Sequence, residues 1–405
     1  EHLRDIRSDP NRERLGSDFG RFWLAAAASN LGDGIRLGAL PLLALRLTSN
    51  PVLIGATSAA AIAPWIVAPL VGVLVDRVDR RRLMIAGQLG RAVLATVLIG
   101  LLAADALTIW ALVGLALGLG CGEVLVDTAS QASIPQLVPV GLLDRANARL
   151  EMATQLLNEV VGVALGAALF ASVSALPFVV DAATFLVGAA LLATIRRPLQ
   201  GAPRPPARLR ADLTEGFRFL ARHALLRSLM VGAAVSNIAT NMSFAVLVVL
   251  VVDRLGEAES TYGLVVAVAA AGGVVGSLVA GWLVGRVGRR AVLLGAPLAM
   301  AAALAITAWS DHLAIIAGAW FAVKLALIML IVPTVSLRQA TTPDYLLGRV
   351  VASFRMVAIG AAPLGALLGG VLTRATDVPT TNAVAAATML AATAILLNAV
   401  RHLPR

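Results

Sequence analysis

The sequence predicts an all-α membrane protein: twelve transmembrane helices in two pseudo-symmetric six-helix bundles. Three observations carry this. The first is composition: of 405 residues, 59% are apolar and only 14% charged, where an ordinary soluble domain carries roughly 25% charged residues. The mean hydropathy is +0.86. The second is run length: apolar stretches long enough to cross the hydrocarbon, ~20 residues each, fill most of the chain. The short alternating segments of a membrane barrel do not occur. The third is a repeat. Gly72-Val-Leu-Val-Asp76-Arg77-Val78-Asp79-Arg80-Arg81-Arg82 is a charged knot between two apolar runs, and Gly281-Trp-Leu-Val-Gly285-Arg286-Val287-Gly288-Arg289-Arg290 repeats it 209 positions later. A stretch so short is a hairpin at a membrane surface, and its recurrence divides the chain into halves. Two similar halves place a solute path between them.

Residues 1–18 are charged and lack the apolar core of a signal peptide, so they are expected to form a cytoplasmic segment. The first bundle, 19–195, has spans near 19–48, 51–75, 83–104, 107–131, 148–172 and 175–195. The central loop, 196–225, begins with Arg196-Arg-Pro-Leu-Gln-Gly-Ala-Pro-Arg-Pro-Pro, an extended solvated linker. Asp212 to Leu226 then carries Leu213, Phe217, Leu220 and Leu225 at roughly helical spacing, which predicts an amphipathic helix along the inner surface. The second bundle, 226–401, has spans near 226–253, 260–285, 291–309, 313–336, 348–374 and 380–401, and 402–405 is a cytoplasmic end. The repeat reaches beyond the knots. Ser29-Asn30-Leu31-Gly32-Asp33-Gly34 matches Ser236-Asn237-Ile238-Ala239-Thr240-Asn241, and Leu142-Leu143-Asp144-Arg145 matches Leu346-Leu347-Gly348-Arg349.

The net charge of +10 invites a nucleic-acid reading, but its distribution removes it. On the twelve-span reading, 26 of the 33 basic residues fall on one side, with Arg46, Arg254 and Arg374 on the other. That is the inside-positive bias of membrane proteins, so both termini and both knots are expected in the cytoplasm. The lone Cys121 excludes an intrachain disulfide and a cysteine zinc site. His2, His223, His312 and His402 fall in loops or at ends, so no metal and no cofactor is expected. An ATP-binding loop needs Gly-x-x-x-x-Gly-Lys-[Ser/Thr], and Lys324, the single lysine, lies between Val323 and Leu325. Ion gradients are the remaining energy source. No His or Cys is placed for catalysis, so the chain is not expected to be an enzyme.

Gly72-x-Leu-x-Asp76-Arg77-x-x-Arg80-Arg81 resembles the loop signature of the major facilitator superfamily, and the 6+6 layout with a long central loop fits it over the whole chain. Further details resemble its bacterial efflux branch, which includes macrolide, multidrug and enterobactin exporters. They are Gly32-Asp33-Gly34, Pro135-Gln-Leu-Val-Pro139 with Asp144-Arg-Ala-Asn147, Asp181, Gly348-Arg349-Val, and Pro363-Leu-Gly365. Asp79 stands where the signature has Gly, and Gly162-Val-Ala-Leu-Gly166 lacks the Pro of the family's antiporter motif. The resemblance implies that Asp76 and Arg77 latch the halves together on the inner side when the pore opens outward. Electrostatics agrees: an acid near the N-terminus of a facing helix meets a favourable dipole, and Arg349 to Arg355 supplies bases. Gly72, Arg80, Asp127, Arg149, Arg286, Arg349 and Arg355 complete the expected cytoplasmic gate. For Arg80 to Arg82, simple inside-positive anchoring suffices as the alternative.

An ionisable group within a span marks function, because inserting it costs at least ~2.5–3.5 kcal/mol. Asp33 sits mid-span between Gly32 and Gly34, which let another helix approach. Desolvation favours the neutral acid, while Arg36, one turn on, favours the carboxylate. That competition suits proton coupling; a permanent ion pair is the plainer alternative. Glu123 and Asp127 share one face of the fourth helix, with Arg91, Arg145 and Arg149 as candidate partners. Two nearby carboxylates tend to keep one proton between them, so Glu123 reads equally as a proton site or a salt bridge. Glu159 is a further proton or cation candidate, and Asp181 a structural anchor. Lys324, with Trp320 one turn before it, reads either as a site for an anionic or catechol-like group or as the partner of a facing acid such as Asp33 or Glu123. Asn30, Trp65, Asn237, Thr240, Asn241, Phe244, Trp320, Lys324 and Phe354 are the expected cavity lining. Aromatics at 4% predict a largely aliphatic wall.

The expected function is a proton-coupled secondary transporter that exports a bulky amphipathic small molecule, drug-like or a siderophore, by alternating access. It is placed in a bacterial inner membrane, as a monomer among membrane lipids. Two alternatives stand: a lysophospholipid or amphiphile flippase, with Lys324 or Arg36 holding a phosphate, and a non-transporting membrane sensor.

Overall fold

The computed structural model describes residues 16–139, 142–200 and 209–401, and every regular element among them is helical. The expected terminal segments and the Pro-rich part of the central loop fall largely outside these residues. Among the described residues ten helices are long and apolar enough to cross a membrane. The first helix, Ser17–Leu47, is a further crossing whose apolar run is interrupted by Asn30, Asp33 and Arg36. The longest, Glu259–Trp309, holds two spans, since its backbone leaves the helix at Gly288 (φ 86°, ψ 156°) inside the second knot. A left-handed φ suits glycine there. Among the described residues the crossings number twelve.

Local chemistry explains the breaks. The second span runs as Pro51–Ile62, a tight turn Ala63–Val67, and Ala68–Arg77, because Pro64 and Pro69 remove backbone donors. Asp79 caps the third span, Arg80–Ala103, its Oδ1 accepting the Arg82 amide at 2.8 Å. That cap accounts for Asp in a position the family signature gives to Gly. The fourth span, Ile109–Leu137, runs past the expected end at 131. The fifth begins as Leu143–Ala153, widens into a π-helical stretch Thr154–Gly162, and closes as Val163–Ser172. The sixth is Leu176–Ala193.

The linker helix, Leu209–Arg222, ends earlier than expected because His223 is extended, and Leu225 belongs to the seventh span, Ala224–Ala245. The tenth span is Leu313–Thr341, the eleventh Asp344–Gly360 and Ala362–Ala375 with Pro363 at the break, and the twelfth Val378–Arg401.

The first span packs on the fifth and sixth, and the third joins the fourth to the sixth. In the second half the seventh span packs on the eleventh and twelfth, and the long helix on the tenth and twelfth. The two main contacts between the halves join the second span to the eleventh, and the fifth to the long helix. The repeat pairs the second span with the eighth and the fifth with the eleventh, so each contact is the other's pseudo-symmetric copy. A Cβ on Gly370 would sit 2.3 Å from the Pro51 carbonyl oxygen, so the second and eleventh spans touch backbone to backbone. At the same end Arg46 Nε and Nη2 donate to the two Glu259 oxygens at 2.7 and 2.6 Å, tying the halves together.

At the knot end the halves part. One cavity of about 570 Å³ lies between Trp65, Gly72 and Thr128 on one side and Arg349, Arg355 and Met356 on the other. A second, about 770 Å³, is lined by Asn30, Asp33, Asp127 and Arg355. The linker helix borders this vestibule: it packs on the eleventh span, its Leu213 reaches the first cavity, and its Glu215 accepts a hydrogen bond from Arg349.

Candidate functional site

Five ionisable side chains meet inside the first lobe. Arg36 Nη2 donates to Asp33 Oδ1 at 2.8 Å and to Glu123 Oε2 at 2.7 Å. Arg91 reaches the same Asp33 oxygen, and donates to Ser29 Oγ at 3.2 Å. Arg36 Nε lies 3.7 Å from Asp181 Oδ2, while neither Asp181 oxygen accepts a hydrogen bond from the described residues. Four of the five are buried, Asp181 completely, and Glu123 keeps its side chain 24% exposed. The Arg91 guanidinium lies 4.0 Å from the Phe185 ring centre.

The helices fix this meeting. Asp33 and Arg36 are one turn apart on the first span. Gly32 brings the sixth span so near that a Cβ would lie 2.6 Å from Asp181 Oδ1, and Gly34 brings Asn158 of the fifth equally close. The cluster holds three carboxyls and two guanidiniums. An unpaired buried charge is expensive, and the guanidiniums balance only two of the three carboxyls. Asp33 also lines the larger vestibule cavity, which gives the cluster an edge toward the knot end.

The sequence places Asp33 with Arg36, and the structure adds Glu123 through the same guanidinium. Asp127 lines the vestibule with Asp33 and Arg355. Two members were understated. The sequence offers Arg91 only as a partner for the fourth-helix acids, and Asp181 only as an anchor. The available signal was that Arg91 is one of just four basic residues within the spans.

A smaller cavity, about 280 Å³, lies between the lobes. Thr154, Asn158 and Glu159 come from the π-helical stretch, and Asn237, Thr240, Asn241, Phe244, Trp320 and Lys324 from the second lobe. Lys324 Nζ is 3.8 Å from Glu159 Oε2. This is the facing acid of the sequence reading, but neither Asp33 nor Glu123, which Arg36 and Arg91 already engage. Trp320 is fully buried and meets Phe244 edge-on at 5.5 Å. Seven of the fourteen lining residues are polar, which sets polar groups into the largely aliphatic wall that composition predicts. The seventh span's Asn-x-x-Thr-Asn face and the widened turn of the fifth supply most of them; such π-helical turns recur at functional sites.

The remaining expected residues divide. Asn30 lines the vestibule and Trp65 lies under Arg355, 5.8 Å away across the lobes. Phe354 is buried beneath Arg338 at 4.5 Å and lines none of the three cavities. Arg80 makes a contact that neither reading of it names. It is buried, and its Nη1 donates to Ala132 O at 2.6 Å, tying the third span to the fourth within one lobe. Arg81 caps the end of the sixth span through the Leu192 and Ala193 carbonyls. Arg77 and Arg149 are exposed, and Arg286 lies over Trp282 at 5.6 Å. The Asp76 side chain falls outside the described residues.

The transmembrane secretion effector family of the major facilitator superfamily matches residues 15–404. The chain is 30% identical over 372 residues to the multidrug efflux pump Tap of Mycobacterium tuberculosis (strain ATCC 25618 / H37Rv), covering 87% of this chain and 85% of that one. It is 28% identical to the uncharacterized MFS-type transporter y4rN of Sinorhizobium fredii, over 86% of this chain and 87% of that one. Among solved structures, a mutant of the nucleoside transporter NupG superposes with a TM-score of 0.78 at 10% identity, covering 95% of this chain and all of that one. A bacterial homologue of the iron transporter ferroportin does so at 0.76 and 17%, covering 95% and 98%. At such identities these likenesses speak to the fold. With twelve crossings among its described residues, a repeat that relates the halves, and a family match over nearly its whole length, the chain belongs to the major facilitator superfamily, and is a secondary transporter rather than an enzyme.

Proposed function

We propose that the chain is a proton-coupled exporter of amphipathic small molecules, drug-like or siderophore, in a bacterial cytoplasmic membrane, with termini and knots in the cytoplasm. The carrying observation is the buried cluster with one carboxyl more than its guanidiniums. Loading and releasing a proton there changes the charge of a buried site, which biases the two lobes between packings. The distribution of basic residues supports the orientation. On it, the parted knot end faces the cytoplasm and the Arg46–Glu259 tie closes the outer end, so the described state opens inward. Solute enters through the vestibule and reaches the cavity between Glu159 and Lys324. Tap's description as a multidrug efflux pump supports export as the direction.

The test is dye uptake by inverted membrane vesicles with an acidified interior. Concentrative uptake of ethidium that a protonophore abolishes is expected; uptake indifferent to the protonophore defeats the reading. A second reading, an amphiphile flippase, is favoured by the cavity between the second and eleventh spans, whose charged lining residues are Arg349 and Arg355. It requires labelled lysophospholipid to cross proteoliposomes without a gradient.

A further inference from the structure

The cavity between the lobes carries one acid and one base: of its fourteen lining residues only Glu159 and Lys324 are charged. They stand on opposite lobes, on the fifth and tenth spans. Their 3.8 Å separation is an ionic contact but longer than a hydrogen bond. Among the described residues neither has another ion pair or hydrogen-bond partner, and their side chains stay 43% and 28% exposed. Both therefore keep open hydrogen-bonding positions toward the cavity.

The choice of base matters. Every other basic residue in the chain is arginine. At the other ionic tie between its lobes the chain uses a two-pronged guanidinium–carboxylate contact, Arg46 on Glu259. An ammonium is a compact charge on a flexible stem and cannot make that fork. The Glu159–Lys324 contact is built to open.

What opens it follows from charge. A solute with only a cation takes Glu159 and strands the ammonium. A solute with only an anion takes Lys324 and strands the carboxylate. Either way the charge left behind loses its partner's attraction, so each half-match works against itself. A solute bearing both a basic and an acidic group replaces one long contact with two short, charge-assisted ones. Phe244 and Trp320, edge to face at 5.5 Å, offer an aromatic corner for a ring between the two groups.

We propose that this cavity selects ampholytes: compact ring-bearing solutes whose basic group meets Glu159 and whose acidic group meets Lys324. Such a cargo grips both lobes at once, so its binding and the lobes' relative position are linked. The inference depends on the export reading only in calling the ligand cargo.

The test uses norfloxacin, which has one amine and one carboxylate, with its methyl ester (cation only), its N-acetyl derivative (anion only) and the doubly masked compound (uncharged). Equilibrium binding to the purified full-length protein in nanodiscs is read from quinolone fluorescence polarisation. Norfloxacin is expected to bind about tenfold tighter than either singly charged form. Lys324→Gln should move the preference to the methyl ester, and Glu159→Gln to the N-acetyl derivative. The proposal is overturned if the methyl ester binds the unaltered protein as tightly as norfloxacin. It is also overturned if both variants weaken all four compounds alike, as a mere strut between lobes would, or if none of the four binds. No gradient is present, so proton coupling is judged separately: Asp33→Asn that keeps the norfloxacin preference yet still pumps defeats the coupling reading alone.

Discussion

The two lobes make the same helix crossing with different chemistry. The offset that carries Ser29 to Ser236 carries Asp33 to Thr240 and Arg36 to Ser243. In the first lobe Arg36 approaches Asp181 across the first and sixth spans, at 3.7 Å. In the second lobe Ser243 donates to Asn382 across the seventh and twelfth. Thr240, opposite Asp33 in the repeat, gives its hydroxyl to the Ser236 carbonyl within its own helix. Met300, in the position related to Arg91 by the knot offset, lies in the apolar core. A polar tie at this crossing is thus enough to build a lobe. The ions in the first lobe exceed what the architecture asks, and a membrane interior tolerates such excess where it serves function.

Breaking the ionic side should have the largest effect. Arg36→Ser leaves Asp33, Glu123 and Asp181 with one guanidinium among them, and removing one partner of a buried pair costs about 3–5 kcal/mol. A large fall in thermal midpoint and loss of concentrative transport are expected. Adding Asp181→Asn, which copies the second lobe's neutral pair into the first, should recover much of the midpoint but none of the pumping. Recovery of pumping would show that the charges are dispensable.

Breaking the neutral side should cost less and touch only stability. Ser243→Ala leaves the buried Asn382 oxygen without its donor, worth about 1–3 kcal/mol, and coupling to protons should persist. A lost proton dependence in that variant would erase the distinction between the lobes. The smallest effect belongs to the tie between them. Arg46 is 43% exposed, and exposed pairs contribute only ~0.2–1 kcal/mol. Arg46→Ala should therefore shift the open-to-closed population a few-fold, read from spin-label distances across the outer end, with transport retained.

What the sequence disclosed follows from distance along the chain. Asp33 and Arg36 are legible because three residues along a helix are neighbours. The knots are legible because they repeat. Contacts between helices distant along the chain are not: Arg91 joining Asp33 from the third span, Arg80 reaching the fourth, and Phe354 turned under Arg338 rather than into a cavity. Lys324 was visible as an oddity, but its partner came from a π-helical turn that carries no composition signal. Asp79 looked like a departure from the family signature until its capping of Arg82 gave it a purpose.

The central claim is that the surplus carboxyl of the first lobe carries the coupling proton. The most direct measurement compares the unaltered protein with Asp33→Asn in proteoliposomes, recording ethidium movement and internal pH together under an imposed pH gradient. The unaltered protein should concentrate dye while protons flow the other way, and Asp33→Asn should let dye equilibrate with no linked proton movement. Concentration of dye by Asp33→Asn, with protons still moving in step, would contradict the account.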